Sequence, residues 1–150
     1  MMEAVIFIGI QGTGKSSFYQ ERFFHTHVRL NLDMLKTKNR FRLLLAACLE
    51  GGQPFVIDNT NVTKEARAGF IAQAKAAGFR VVGYYFRSDI AAALVRNSER
   101  VGPARISDVG VLGTYKRLEI PQQAEGFDAL YYVRIDPEGK FQVEEWADEV

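Results

Sequence analysis

Apolar residues cluster in four short runs, at 4–8, 54–57, 80–86 and 130–135, each of strand length. Between these runs, apolar positions recur at helical spacing near 15–24, 33–50, 63–77, 89–100 and 106–118. A weaker run, Val28-Arg29-Leu30-Asn31, predicts one more short strand. Gly51-Gly52 and Gly78 fall where helices should stop, and each is followed by the next apolar run. Such alternation predicts an α/β fold with a mostly parallel sheet of about five strands between two helical layers. The segment from Phe141 to Trp146 fits either a strand or a docked tail. With 150 residues and neither repeat nor linker, one domain over 1–150 is expected.

Composition changes this picture little. The chain is 47% hydrophobic and 25% charged, ordinary for a globular domain. A net charge of +1 gives no overall attraction to nucleic acid, so any basic site must be local. Cys48 is the lone cysteine and therefore has no disulfide partner within the chain. It is expected to pack as a small hydrophobe in a reducing compartment. No apolar stretch approaches the roughly 18 residues of a membrane helix. A strand beginning right after Glu3 leaves no room for a signal peptide, so a cytoplasmic location is expected.

The strongest chemical signal follows the first run. Gly9-x4-Gly14-Lys15-Ser16 comes directly after a strand and opens a helix, the context a phosphate-binding loop requires. In such a loop, backbone groups of Gly9, Gln11, Gly12, Thr13, Gly14, Lys15, Ser16 and Ser17 surround a polyphosphate at the positive end of the helix. Lys15 supplies a charge for the terminal phosphates, and the Ser16 hydroxyl suits Mg²⁺. The sequence thus predicts ATP and Mg²⁺ as ligands on a three-layer P-loop NTPase fold of nucleoside-kinase type. No Asn-Lys-x-Asp tetrad is present, which argues against a GTPase.

In open α/β sheets, ligand-binding residues gather at the carboxyl ends of the strands. The run 54–57 ends in Asp58, a candidate Mg²⁺ ligand that would otherwise serve as a turn or cap aspartate. The next residue is Asn59, which cannot activate water as a base, so transfer to a substrate hydroxyl is favoured over hydrolysis. Asn59 and Thr60 are then candidate acceptor contacts. Asp33, just past the weaker run, is either the base for that hydroxyl or a helix N-cap. Lys36, Lys38, Arg40 and Arg42 follow; if helical, 36/40 and 38/42 form two columns of positive charge. These columns read either as a solvated face or as a channel for a phosphate-bearing acceptor. Arg96 and Arg100 lie one turn apart before Gly102-Pro103 and could close over ATP from a helical lid at about 89–118. Arg87 and Arg105 add further positive charge to this region. Phe18, Tyr19, Phe23 and Phe24 read as core, and His25 and His27 as loop residues.

The constellation resembles the 5′-hydroxyl polynucleotide kinase branch of P-loop kinases. The matching pieces run in order through Gly9–Ser16, Asn31-Leu-Asp33-x-x-Lys36, Val56-Ile-Asp58-Asn-Thr-Asn61 and Arg96-Asn-x-x-Arg100. The stretch Tyr115-Lys-Arg-x-Glu-Ile-Pro121 and Glu125-Gly-Phe-Asp128 extends the likeness, which covers residues 4–135. The resemblance implies a free-standing, AAA-type ATP-binding kinase with Asp33 as general base. It implies lid arginines, Arg96 and Arg100, touching the nucleotide, and an acceptor at the 5′-OH end of DNA or RNA. Lys36 stands where that branch typically has Arg, which loses a bidentate fork toward the acceptor's phosphate. A small-metabolite or nucleoside kinase and a nucleotide-dependent switch with little turnover are the competing readings.

Overall fold

The computed structural model describes residues 1–147. Six strands form one sheet: β1 (Glu3–Ile8), β2 (Val28–Leu30), β3 (Phe55–Ile57), β4 (Arg80–Phe86), β5 (Ala129–Ile135) and β6 (Phe141–Glu145). Their order is β2-β3-β1-β4-β5-β6; β1 to β5 are mutually parallel and β6 is antiparallel to β5. The expected five-stranded sheet therefore gains a sixth strand, and residues 141–145 resolve as strand rather than docked tail. The single-domain expectation over 1–150 extends three residues beyond those described.

The helices are α1 (Lys15–Arg22), α2 (Leu32–Leu35), α3 (Lys38–Gly51), α4 (Lys64–Ala76), α5 (Ile90–Ser98) and α6 (Asp108–Arg117). One helix expected over 33–50 is two. Lys36 adopts φ 74° and terminates α2, and Thr37 caps α3 by accepting from the Arg40 N–H. This break removes the Lys36/Arg40 column, whereas Lys38 and Arg42 remain one turn apart on α3. Gly52 closes α3 in the left-handed conformation, as its position in the sequence predicts.

Strand alternation divides the core between the two faces of the sheet. Ala4, Ile6 and Ile8 pack with Leu45, Ile71 and Phe79 beneath α3 and α4. Val5 and Phe7 pack with Phe18, Phe23 and Phe86 beneath α1, where aromatic rings meet at centroid spacings of 5.0–5.9 Å. Phe24 was expected in this core but is 61% exposed, because α1 ends at Arg22 and the chain turns away. Cys48 is buried under α3, and burial raises its thiol pKa.

Among the described residues, one charged side chain is fully buried. Arg67 on α4 forms a two-pronged pair with Glu125 (2.8 and 3.1 Å) and donates to the Asn61 carbonyl at 2.9 Å. It thereby holds the segment after β3, where Asn61 takes a left-handed φ of 46°. Removing one partner of a buried pair strands the other's charge. Arg67→Ala is therefore expected to lose about 3 kcal/mol or more of stability in urea denaturation. The double change Arg67→Leu with Glu125→Leu should recover part of that loss. A loss below about 1 kcal/mol in Arg67→Ala would show that the pair does not hold this segment.

Candidate active site

β1 and β3 are adjacent and parallel, so the segments leaving their carboxyl ends emerge side by side. After β1 comes the loop Gly9–Gly14; after β3 comes Asp58–Asn61. The Gly9 N–H donates to the Thr60 carbonyl at 3.0 Å, joining the two. Gly12 (φ 77°) and Gly14 (φ 93°) take left-handed conformations, and a Cβ at Gly12 would lie 2.5 Å from the Ala93 carbonyl oxygen. The loop is thus shaped for glycine by both backbone angle and space. Gly14 sits at the N-cap of α1 without a side-chain cap, and no acid occupies the first turn. The helix's leading N–H groups and its positive dipole end are left for an anion.

Lys15 is only 8% exposed and donates to the carbonyls of Gly9 (3.0 Å) and Ile10 (2.7 Å). Burial lowers its pKa from 10.5 to about 8; Asp58 and Asp33 oppose the shift, and Arg100 adds to it. A buried ammonium with two neutral acceptors gains from a nearby anionic charge. Thr13 turns its hydroxyl inward to the Ile10 carbonyl at 2.9 Å. Gln11 donates to the Thr114 hydroxyl of α6 at 3.1 Å, while its own amide oxygen is buried without a partner among the described residues. A glycine-shaped loop, a buried lysine and an uncapped helix start together fit a polyphosphate nucleotide.

The candidate metal ligands also meet. The Ser16 hydroxyl donates to the Asp58 carboxylate at 3.3 Å, and Asp58 is 2% exposed. Among the described residues no three His, Cys, Asp or Glu side chains converge on one point. A serine hydroxyl beside one carboxylate is a donor set that suits Mg²⁺, which takes one or two protein ligands and completes its shell with water and phosphate. Sequence reasoning missed the third member of this group. Arg29 of β2 donates from Nε to Asp58 at 2.8 Å and from Nη2 to the Ser16 hydroxyl at 3.0 Å. The only sequence cue was a cation inside a short apolar run.

Asp33 lies in the first turn of α2 but is not its cap. That role falls to Asn31, whose side chain accepts from the Met34 N–H at 2.8 Å. The Asn31 amide donates to the Asp58 carbonyl, and Asn59 accepts from the Leu32 N–H at 2.9 Å. The two asparagines pin α2 to the segment after β3. Asp33 is left exposed, with no hydrogen bond or ion pair among the described residues. It faces both lobes of one cleft. The first lobe, about 550 Å³, contains Gln11, Lys15, Asp58, Asn59 and Thr60; the second, about 780 Å³, contains Ser17, Arg29 and Lys36. Ser16, Asp33 and Arg100 line both.

Arg40 lines neither lobe; its guanidinium donates to the Leu35 carbonyl at 3.2 Å, at the end of α2. Helices α5 and α6 stand over the loop, with a 3-10 turn at Gly102–Ala104 between them. Arg96 reaches the Gly12 carbonyl at 3.4 Å and shares a smaller pocket with Thr13 and Ile135. Arg100 donates to the Ala104 carbonyl at 3.3 Å. Asn97 between them is fully buried and bonds both backbone groups of Ile106, folding the 3-10 turn back against α5. Arg117 of α6, which falls within the Tyr115–Pro121 stretch but is given no role there, also lines the first lobe.

Solved structures share this architecture. Kti12 from Chaetomium thermophilum in complex with ADP-AlF3 is 15% identical with a TM-score of 0.67; the match covers 91% of this chain and 92% of that one. A gluconokinase from Sinorhizobium meliloti 1021 is 16% identical with a TM-score of 0.63, covering 89% and 82%. A chain of the PezAT toxin-antitoxin system of Streptococcus pneumoniae is 13% identical with a TM-score of 0.70, covering 93% and 70%. These likenesses are of fold, and the fold is that of a P-loop NTPase. The AAA domain family matches residues 5–112, and the chain belongs to that family.

Proposed function

We propose that this protein is a kinase that transfers the γ-phosphate of ATP to a hydroxyl acceptor. The observation that carries this reading is Asp33: a carboxylate released from capping by Asn31, facing a cleft it shares with Lys15 and Arg100. A base in that position can take the proton of an attacking hydroxyl. Asn59, in the place where a water-activating acid would stand, has its amide oxygen engaged by the Leu32 N–H. Both features favour transfer over hydrolysis. Mg²⁺, held by Ser16 and Asp58, would neutralise charge on the transferred phosphate. Lys15, Arg96 and Arg100 would contact the nucleotide and stabilise charge developing during transfer.

The first acceptor to test is a 5′-OH end of DNA or RNA, supported by the Asn31-x-Asp33 and Asp58-Asn-Thr-Asn61 elements and by Arg29, Lys36 and Arg100 around the second lobe. The absence of Arg40 from the cleft shortens that positive surface. A small hydroxylated metabolite is the second reading. The gluconokinase likeness and a first lobe of about 550 Å³ favour it. Incubating γ-labelled ATP with 5′-OH DNA, 5′-OH RNA, nucleosides and a hydroxylated metabolite pool separates them by which species carries label. Label appearing only in free phosphate would refute the kinase reading.

Two outcomes follow from the geometry. Asp33→Asn should leave the melting temperature and nucleotide affinity unchanged, because Asn31 caps α2, while transfer falls by about 10²-fold or more. Full transfer in that variant would remove Asp33 from the mechanism. Because the Lys15 pKa is lowered to about 8, the free protein gives up this proton in mildly alkaline solution. An anionic nucleotide draws it back, so affinity for ADP should fall about tenfold between pH 7 and pH 9. Calorimetry at pH 8.5 in two buffers should register proton uptake on binding. Affinity independent of pH over that range would mean Lys15 does not meet the phosphates.

A further inference from the structure

Arg29 forms a closed triangle with Ser16 and Asp58. Its Nε and Nη2 bond the carboxylate and the hydroxyl, and that hydroxyl bonds the same carboxylate oxygen, Oδ2. The third guanidinium nitrogen, Nη1, meets the Met34 sulfur of α2 at 3.7 Å. All three nitrogens are therefore directed, and two of them engage the atoms to which a divalent cation would bind. Asp58 is nearly inaccessible to water, so its charge needs a partner in the protein. Arg29 is that partner, yet its own side chain is a quarter exposed. It springs from a three-residue strand at the sheet edge and borders the 780 Å³ second lobe. It has room to leave.

We propose that Arg29 is a resident cation that competes with Mg²⁺ for Ser16 and Asp58 and so sets the metal requirement of the nucleotide site. The inference rests on Ser16 and Asp58 being the metal-binding pair of the reading above. Asp58 Oδ2 serves both guanidinium and hydroxyl, and a dication brought to the same oxygens meets a positive charge within bonding distance of them. One of the two must yield. Displaced into the second lobe, the guanidinium joins Lys36 and Arg100, where it faces the acceptor side of the cleft. Metal arrival thus exchanges a monovalent protein cation for a divalent one and adds an arginine to the acceptor lobe. Guanidinium suits this role better than ammonium, because its planar fork spans carboxylate and hydroxyl together.

The test measures binding of a fluorescent ADP analogue while free Mg²⁺ is titrated, with no turnover involved. In Arg29→Met, which keeps length but removes charge, the Mg²⁺ midpoint should fall about tenfold, the scale of one lost charge competition in a partly buried site. Arg29→Lys, charged but without the fork, should fall by less. In an Asp58→Asn background, Arg29→Met should no longer move the midpoint. Should Arg29→Met fail to fold, Arg29→Lys, alone and in the Asp58→Asn background, carries the comparison. A midpoint unchanged or raised in folded Arg29 variants overturns the competition and makes Arg29 a structural partner or a support for the metal. Wild-type ADP binding that ignores Mg²⁺ altogether overturns instead the metal-binding pair on which the functional reading depends.

Discussion

The pairing of β1 with β3 is the constraint from which the rest of this site follows. Ile6 stands opposite Ile57 in parallel register about 5 Å away, and β1 runs two residues further, to Ile8, before its loop begins. The chain after β1 turns through left-handed glycines into α1, while that after β3 delivers Asp58 beside Ser16. A slip of one residue would turn every side chain of β3 to the opposite face. It would set Val56 against α3 and α4 and carry Asp58 away from the loop. Phe55 and Ile57 are fitted to one core and Val56 to the other, and a slip would also draw Pro54 or Asp58 into the sheet, so the register is held. The site's geometry is thus a by-product of hydrophobic register.

Electrostatics within the cleft is dominated by cations short of partners. Lys15 meets only carbonyls, Arg100 repels it, and the uncapped start of α1 adds positive potential. Asp58 is matched one to one by Arg29, which leaves Asp33 as the carboxylate without a partner in the cleft. A region of this kind is stable in the folded protein because hydrophobic packing elsewhere carries it, with 29 apolar residues buried among the described residues. A polyphosphate relieves the repulsion, so binding and stability share one origin.

Local signals were legible in the sequence, and signals that depend on distant partners were not. The glycine loop announced itself because left-handed backbone needs glycine, and the strand runs because apolar alternation is short-range. The split between α2 and α3 was hidden because Lys36, not glycine, takes the left-handed position, held by its N–H bond to Leu32. Nothing in the sequence around Arg67 points to its partner Glu125, 58 residues away. Arg40 looked like part of a charged column because the column presumes one continuous helix. Residues 141–145 became a strand only because β5 presents an edge to pair with.

The asparagines show why the candidate base could be found in sequence but not decided there. An aspartate after a strand is equally good as cap or as base, and no count of spacing separates the two. The cap reading falls because Asn31 takes the cap, and Asn59 takes the Leu32 N–H. Each satisfies backbone groups that would otherwise compete for the Asp33 carboxylate. Asn61, pinned by Phe7 and Arg67, fixes the level at which Asn59 sits. The Asp33 carboxylate is therefore left without a partner among the described residues, while three amides and one buried ion pair satisfy the backbone around it. In this fold the candidate base is defined as much by what its neighbours relieve it of as by what it faces.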